Sequence, residues 1–233
     1  MSSPTTGPSR SEPERAVGVV VRPQAILFDW DNTLVDSWTT IHEALNVVMA
    51  AMRKPPWSLQ QTKEQVRLSL RDSFPRHFGE RWVEARQIYL DAFRAIHLDR
   101  LSPLPGRREL LERLVGRRVF LGVVSNKTGS VLRREVAELG WTRFFGSIVG
   151  AGDAFADKPD PAPVALALQP SRVGGGEQVW LVGDTGVDIE CASNSGCVPI
   201  LLGASLTETE LASGAPRCVC PDAEALYRLF EAL

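Results

Sequence analysis

Short apolar runs separated by polar turns set the rhythm of this chain, and one long block breaks it. Ala25-Ile26-Leu27-Phe28 is a continuous apolar tetrad, the pattern of a strand buried on both faces. From Pro105-Gly106 onward the pattern alternates helix and short strand. It predicts a helix over 107–115, a strand at Val119–Val124 and a helix from about 129 to Leu139 closed by Gly140. A strand at Ser147–Val149, a helix near 161–168, a strand at Val179–Val182, a helix over 186–194, a strand at Pro199–Leu202 and a last helix over Ala223–Leu233 follow. Such alternation implies a parallel sheet with helices on both faces.

The intervening block has helical periodicity throughout. Ser37 is placed to cap a helix whose apolar positions are Ile41, Ala44, Leu45, Val48 and Met52, and Pro55-Pro56 stops it. Ser58-Leu-Gln-Gln61 has the form of a capping box, opening a helix that runs through Val66 and Leu70. Trp82, Ala85, Tyr89, Ala92, Phe93 and Ile96 stripe a third. The expected organisation is a doubly wound α/β core over 23–36 and 103–233, interrupted by an all-helical insertion over 37–102 and preceded by a disordered tail over 1–22.

Composition narrows the partners. The formal charge of −2 over 233 residues supplies no electrostatic footprint for nucleic acid or an anionic membrane. No apolar stretch reaches the roughly 20 residues that span a bilayer, and the start of the chain lacks the apolar segment of a secretory signal. These features predict a cytoplasmic protein, monomer or homodimer, acting on a small soluble molecule. Cys191, Cys197, Cys218 and Cys220 fall without a Cys-x-x-Cys pair or nearby histidines, the pattern of buried reduced thiols rather than a zinc site.

The candidate chemistry lies where the strands run out. Asp29-Trp30-Asp31-Asn32-Thr33 follows the first tetrad, and residues two apart in extended backbone face the same way, so Asp29 and Asp31 can approach one group together. Two like charges this close call for a cation or a shared proton. Ser125-Asn126-Lys127 ends the second strand and offers a hydroxyl and backbone N–H groups, suited to an anionic oxygen or to a plain helix cap. Asp157-Lys158-Pro159-Asp160-Pro161 holds a lysine in a stretch stiffened by prolines, where it can neutralise carboxylates or bind phosphate. Gly183-Asp184-Thr185-Gly186-Val187-Asp188 puts Asp184 at a strand end and Asp188 on the first turn of the next helix. In one parallel sheet all four clusters meet at one edge, the ligand-binding edge of such folds.

In this order and with these contents, the clusters resemble the four motifs of the haloacid dehalogenase superfamily of phosphotransferases. The resemblance covers residues 24 to 203, and the helical block is similar to that superfamily's inserted cap of the first type, as in phosphoglycolate phosphatase-like members. It implies a Mg²⁺-dependent phosphatase acting on a small phosphate monoester, 2-phosphoglycolate or another phosphometabolite, through an aspartyl-phosphate. Asp29 would be the nucleophile and Asp31 the general acid and base. The resemblance gives the metal to the Asp29 carboxylate, the Asp31 backbone carbonyl and Asp184, with Asp188 in support. Ser125, the Asn126 backbone N–H and Lys158 would hold the phosphoryl group, and Thr33 would steady the first loop or serve only as a turn residue. Trp30 departs from the smaller or aliphatic residue more usual between the two aspartates and is expected to point away from the metal and pack.

Other readings start from the same residues. Asp31 argues against a 2-haloacid dehalogenase, which lacks that second acid. Lys54 and Lys63 sit in no context expected of a Schiff-base lysine. A β-phosphoglucomutase-like phosphotransferase would turn over a hexose phosphate without net phosphate release, and a non-catalytic phosphate-binding or regulatory protein would bind without turnover. In the insertion, Arg67, Arg71, Arg76 and His77 could meet a substrate carboxylate or second phosphate, or form a solvated helix face.

Overall fold

A computed structural model describes residues 20–66, 68–203 and 214–233, so the expected tail up to residue 19, together with Arg67, lies outside the described residues. Residues 20–22, expected to belong to a disordered tail over 1–22, are ordered against the core instead: Val20 is buried and the Val21 carbonyl accepts a 3.2 Å hydrogen bond from Trp180 Nε1.

Six strands form one parallel sheet: β1 (Ala25–Phe28), β4 (Phe120–Thr128), β5 (Ser147–Ala151), β6 (Val179–Gly183), β7 (Val198–Leu202) and β8 (Cys218–Cys220), in the order β5-β4-β1-β6-β7-β8. The apolar tetrad of β1 is fully buried because both faces are covered. Ile26 and Phe28 face a layer containing α5 (Arg107–Val115), α6 (Gly129–Glu138) and the helix Ala223–Glu231. Ala25 and Leu27 face α7 (Ala162–Leu168) and α8 (Gly186–Asn194). From β1 the chain crosses to β4 on one side and later to β6 on the other, so the carboxyl ends of these three strands flank a topological switch point.

Between β1 and β4 stand four helices: α1 (Trp38–Ala51), α2 (Leu59–Gln65), α3 (Leu70–Phe78) and α4 (Trp82–Ile96); α1, α3 and α4 build a second apolar cluster, which Val131 of α6 joins and against which Trp57 and Val66, on either side of α2, pack. The chain enters and leaves this block through a two-stranded antiparallel ribbon of β2 (Val35–Asp36) and β3 (Ser102–Pro103).

Local chemistry departs from expectation in three places. Ser37 sits at the start of α1 but makes no side-chain cap; Trp38 N donates to Asp36 Oδ1 at 3.3 Å instead. The helix opened by the Ser58–Gln61 capping box does not run through Leu70: Val66 and Ser69 are extended, and Asp72 in the first turn marks a fresh start for α3. β8 was not expected, since three residues ending in a loop leave too short a pattern to read. The four cysteines are free and buried. Among the described residues no helix is long and apolar enough to cross a membrane.

Candidate active site

The four polar clusters converge on one cavity at the carboxyl ends of β1, β4 and β6, with Asp29, Asp31, Ser125, Asn126, Lys158, Asp184 and Asp188 all on its wall. Asp29 continues the β1 ladder, its N–H donating to the Val182 carbonyl at 2.8 Å, so its side chain is carried on the rigid sheet. Lys158 Nζ lies 2.9 Å from Asp29 Oδ1 and 2.6 Å from Asp188 Oδ1. Asn126 Nδ2 fixes that lysine from behind by donating to its carbonyl at 3.0 Å. The Asn126 amide nitrogen is thus engaged by the scaffold, while its buried Oδ1 has no hydrogen-bond partner among the described residues. Ser125 is buried, and its Oγ accepts from Lys127 N at 3.3 Å.

Asp188 closes the first turn of α8 as the third residue of a capping box, its Oδ2 accepting from Thr185 N at 3.1 Å and Thr185 Oγ1 at 2.7 Å. Thr33 Oγ1 donates to Asp184 Oδ1 at 2.9 Å, while the Thr33 carbonyl accepts from Arg107 Nε at 2.8 Å. Thr33 thus does more than shape a turn: it links the loop after β1 to the loop after β6.

Asp29, Asp184 and Asp188 each offer an oxygen, and these atoms lie within 4.8 Å of one another. Three carboxylates here face one ammonium. Burial, only partly offset by Lys158, pushes Asp29 up to about 6. Burial and then the charges of Asp188 and Asp29 push Asp184 well above the usual carboxylate range. Burial works to lower Lys158, but Asp188 and Asp29 outweigh it and hold the lysine above its ordinary value. An all-oxygen, electron-rich donor set with surplus negative charge fits a hard divalent cation such as Mg²⁺. Asp31's carboxylate is not among the three; its Oδ1 lies 2.6 Å from Lys127 Nζ.

Sequence reasoning missed the residues behind Asp31. Lys127 Nζ also lies 2.7 Å from Glu135 Oε2, and that carboxylate accepts from Trp30 Nε1 at 2.7 Å and pairs with His97 Nδ1 at 2.8 Å. Trp30 packs away from the cavity as expected, fully buried and edge-on to Trp141 with ring centroids 5.8 Å apart. Lys127 was in plain view inside the Ser-Asn-Lys triplet. Glu135 and, behind it, His97 were not, because they come from α6 and from the cap after α4.

The insertion supplies Trp38, Ile41, Val66, Leu68, Leu70, Tyr89, Leu90 and Phe93 to the cavity wall. Arg71 is turned to the core, where its guanidinium lies 2.8 Å from Asp157 Oδ1. His77 stands edge-on to Trp57 with centroids 5.2 Å apart, and Arg76 is exposed. None of these three lines the cavity.

A family model of haloacid dehalogenase-like hydrolases matches residues 26–201. The chain belongs to this family. Among curated relatives, a phosphoglycolate phosphatase of Caulobacter vibrioides is 30% identical over 192 residues, 78% of this chain and 80% of that protein. The phosphoglycolate phosphatase of Agrobacterium fabrum is 30% identical over 218 residues, 89% of this chain and 92% of that one. A haloacid dehalogenase-like hydrolase from Streptococcus pneumoniae has the same fold, with a TM-score of 0.78 at 24% identity over 90% of this chain and 99% of its own.

Proposed function

We propose that this haloacid dehalogenase-like hydrolase is a Mg²⁺-dependent cytoplasmic phosphatase that cleaves small phosphate monoesters through an aspartyl-phosphate on Asp29. The observation that carries this reading is the division of the two aspartates after β1. Both open on one cavity, yet Asp29 lies with Asp184, Asp188 and Lys158, while Asp31 pairs with Lys127. That is the separation two different jobs require.

Asp29, carried on the sheet, attacks phosphorus while Asp31 gives a proton to the departing alkoxide; this splits one hard hydrolysis into two easier steps. In the second step Asp31 takes a proton from water as that water attacks the Asp29 phosphoryl group. Ser125 Oγ, the Asn126 N–H and Lys158 Nζ hold the phosphoryl oxygens, fixed donors that offset charge where it builds up. Mg²⁺ would be held by Asp29, Asp184 and the Asp31 carbonyl, with Asp188 in support, and supplies charge neutralisation that lets an anion approach a phosphate dianion. The helices of the insertion act as a cap over this site and exclude water from it.

The test is release of inorganic phosphate from a panel of sugar, acid and aryl phosphates with Mg²⁺, with 2-phosphoglycolate as one arm because relatives bear that name. Activity is expected to vanish in EDTA and in Asp29→Asn. A metal-loaded protein inactive across the whole panel would overturn the reading, and conversion of a hexose phosphate without phosphate release would replace it with a phosphotransferase.

A further inference from the structure

Asp31 must hold its carboxylate toward a leaving group although it sits in a tight loop rather than on the sheet. The next residue, Asn32, has φ 61°, and among the described residues the Asp31 backbone meets regular structure through an isolated bridge to Val35. Trp30 O, accepting from Leu34 N and Val35 N, and Asn32 N, donating to Val35 O, tie down the loop backbone, but the carboxylate itself is held at Oδ1, by Lys127.

A lysine stem is long and flexible, and an ammonium alone is a poor anchor for geometry. Here the anchor is itself anchored. The Lys127 side chain is 6% exposed, lies between Asp31 and Glu135, and passes over the Phe93 ring with Nζ 4.8 Å from the centroid. Glu135 is 1% exposed, and its two oxygens serve Lys127, Trp30 and His97. The five residues come from four places: Lys127 from β4, Glu135 from α6, Trp30 and Asp31 from the loop after β1, and His97 from the cap that follows α4. Lys127 differs from Lys158 in its company: Lys158 stands among three carboxylates whose oxygens could hold a cation, whereas Lys127 is enclosed between Asp31 and Glu135, which take up its ammonium.

We infer that Lys127 and Glu135 form a brace that positions the Asp31 carboxylate for proton transfer, and that His97 ties this brace to the helical insertion. This rests on the phosphomonoesterase reading above. Lys127 and Glu135 are positioning residues, and His97 makes the seating of α4 against α6 part of the same arrangement.

The experiment measures kcat and KM for phosphate release from p-nitrophenyl phosphate, phenyl phosphate and a simple alkyl phosphate, with Mg²⁺, in the wild type, Asp31→Asn, Lys127→Met and the double variant Lys127→Met/Glu135→Gln. The double variant removes both charges and leaves an amide for Trp30 and His97, so it keeps the test alive if the single variant does not fold. A poor leaving group needs the proton and a good one does not. Lys127→Met and the double variant should therefore lose about tenfold or more in kcat on the alkyl ester, with at most about a threefold loss on p-nitrophenyl phosphate and an unchanged KM. Asp31→Asn should show the same leaving-group pattern more steeply. An equal loss on all three esters, a raised KM at constant kcat, or no loss would overturn the brace. A wild type inactive on every ester would instead overturn the underlying phosphomonoesterase reading.

Discussion

Lys158 Nζ stands 2.6 Å from Asp188 Oδ1, with both side chains almost wholly withdrawn from solvent. A buried pair of this kind is costly to break from one side, because the surviving charge has no water to turn to. Asp188 is not a lone survivor either, since Asp29 and Asp184 lie beside it. In the metal-free protein, Lys158→Met is expected to lower stability by roughly 3–5 kcal/mol. Adding Asp188→Asn should restore part of that loss. Urea unfolding of the two single variants and the double variant checks this, and strictly additive effects would count against a coupled pair.

The same crowding gives the metal-free protein a pH signature. The Asp29 carboxyl, pushed up to about 6 mainly by burial, binds its proton more tightly folded than unfolded. Its contribution to stability is therefore complete below the unfolded value near 3.9 and is lost as pH rises through about 6. Asp29→Asn removes that titration. In EDTA the variant should gain on the wild type as pH goes from 4.5 to 7.5, by up to roughly 2 kcal/mol. With Mg²⁺ at pH 7.5 the order should reverse, because only the wild type keeps the full set of oxygens. Thermal unfolding at both pH values, with and without Mg²⁺, reads both effects; a pH-independent gap would remove the electrostatic account.

Gly183 explains why a glycine precedes Asp184. A Cβ built there would overlap the Asp188 carboxylate, a bonded partner of Lys158. Gly183→Ala should displace Asp188 and with it Lys158, and a misplacement of about 1 Å in such a site costs on the order of 100-fold in turnover. Steady-state kinetics beside a circular dichroism spectrum separates this from unfolding. Near-wild-type turnover would mean that Asp188 does not set the site's geometry.

Legibility followed sequence distance. The tetrad Ala25–Phe28 and the strand at Val179–Val182 were readable because burial on both faces leaves an unbroken apolar run. The four clusters were readable because aspartate, lysine and serine stood out directly after such runs. What joins Thr33 to Asp184, or Lys127 to Glu135 and His97, was not readable. Those pairs form only once β1, β4, β6 and the helices have packed, and nothing local in Glu135 or His97 distinguishes them from ordinary helix residues. The ribbon of Val35–Asp36 and Ser102–Pro103 was missed for another reason, since two residues per strand cannot show a period.

The cavity wall also bears on the substrate. Two charged groups stand where an alcohol would leave, Asp31 and Lys127, and they are engaged with each other. The described residues of the insertion that complete the wall are apolar or aromatic, from Trp38 and Ile41 to Tyr89, Leu90 and Phe93. A carboxylate-bearing alcohol such as glycolate would have to shed water against these side chains without a matched cation, whereas an apolar or aromatic alcohol gains from the same burial. Phenyl phosphate is accordingly expected to exceed 2-phosphoglycolate in kcat/KM by about tenfold or more, the order that apolar complementarity in a pocket supplies. Leu70→Lys, which sets a cation on that wall, should narrow the gap by raising turnover of 2-phosphoglycolate and lowering that of phenyl phosphate. Arg67 adjoins the wall residues Val66 and Leu68 in sequence but lies outside the described residues, so Arg67→Ala is the companion variant. A wild type that prefers 2-phosphoglycolate and loses that preference in Arg67→Ala would assign the specificity to a cation at that position and reject the apolar wall as its determinant.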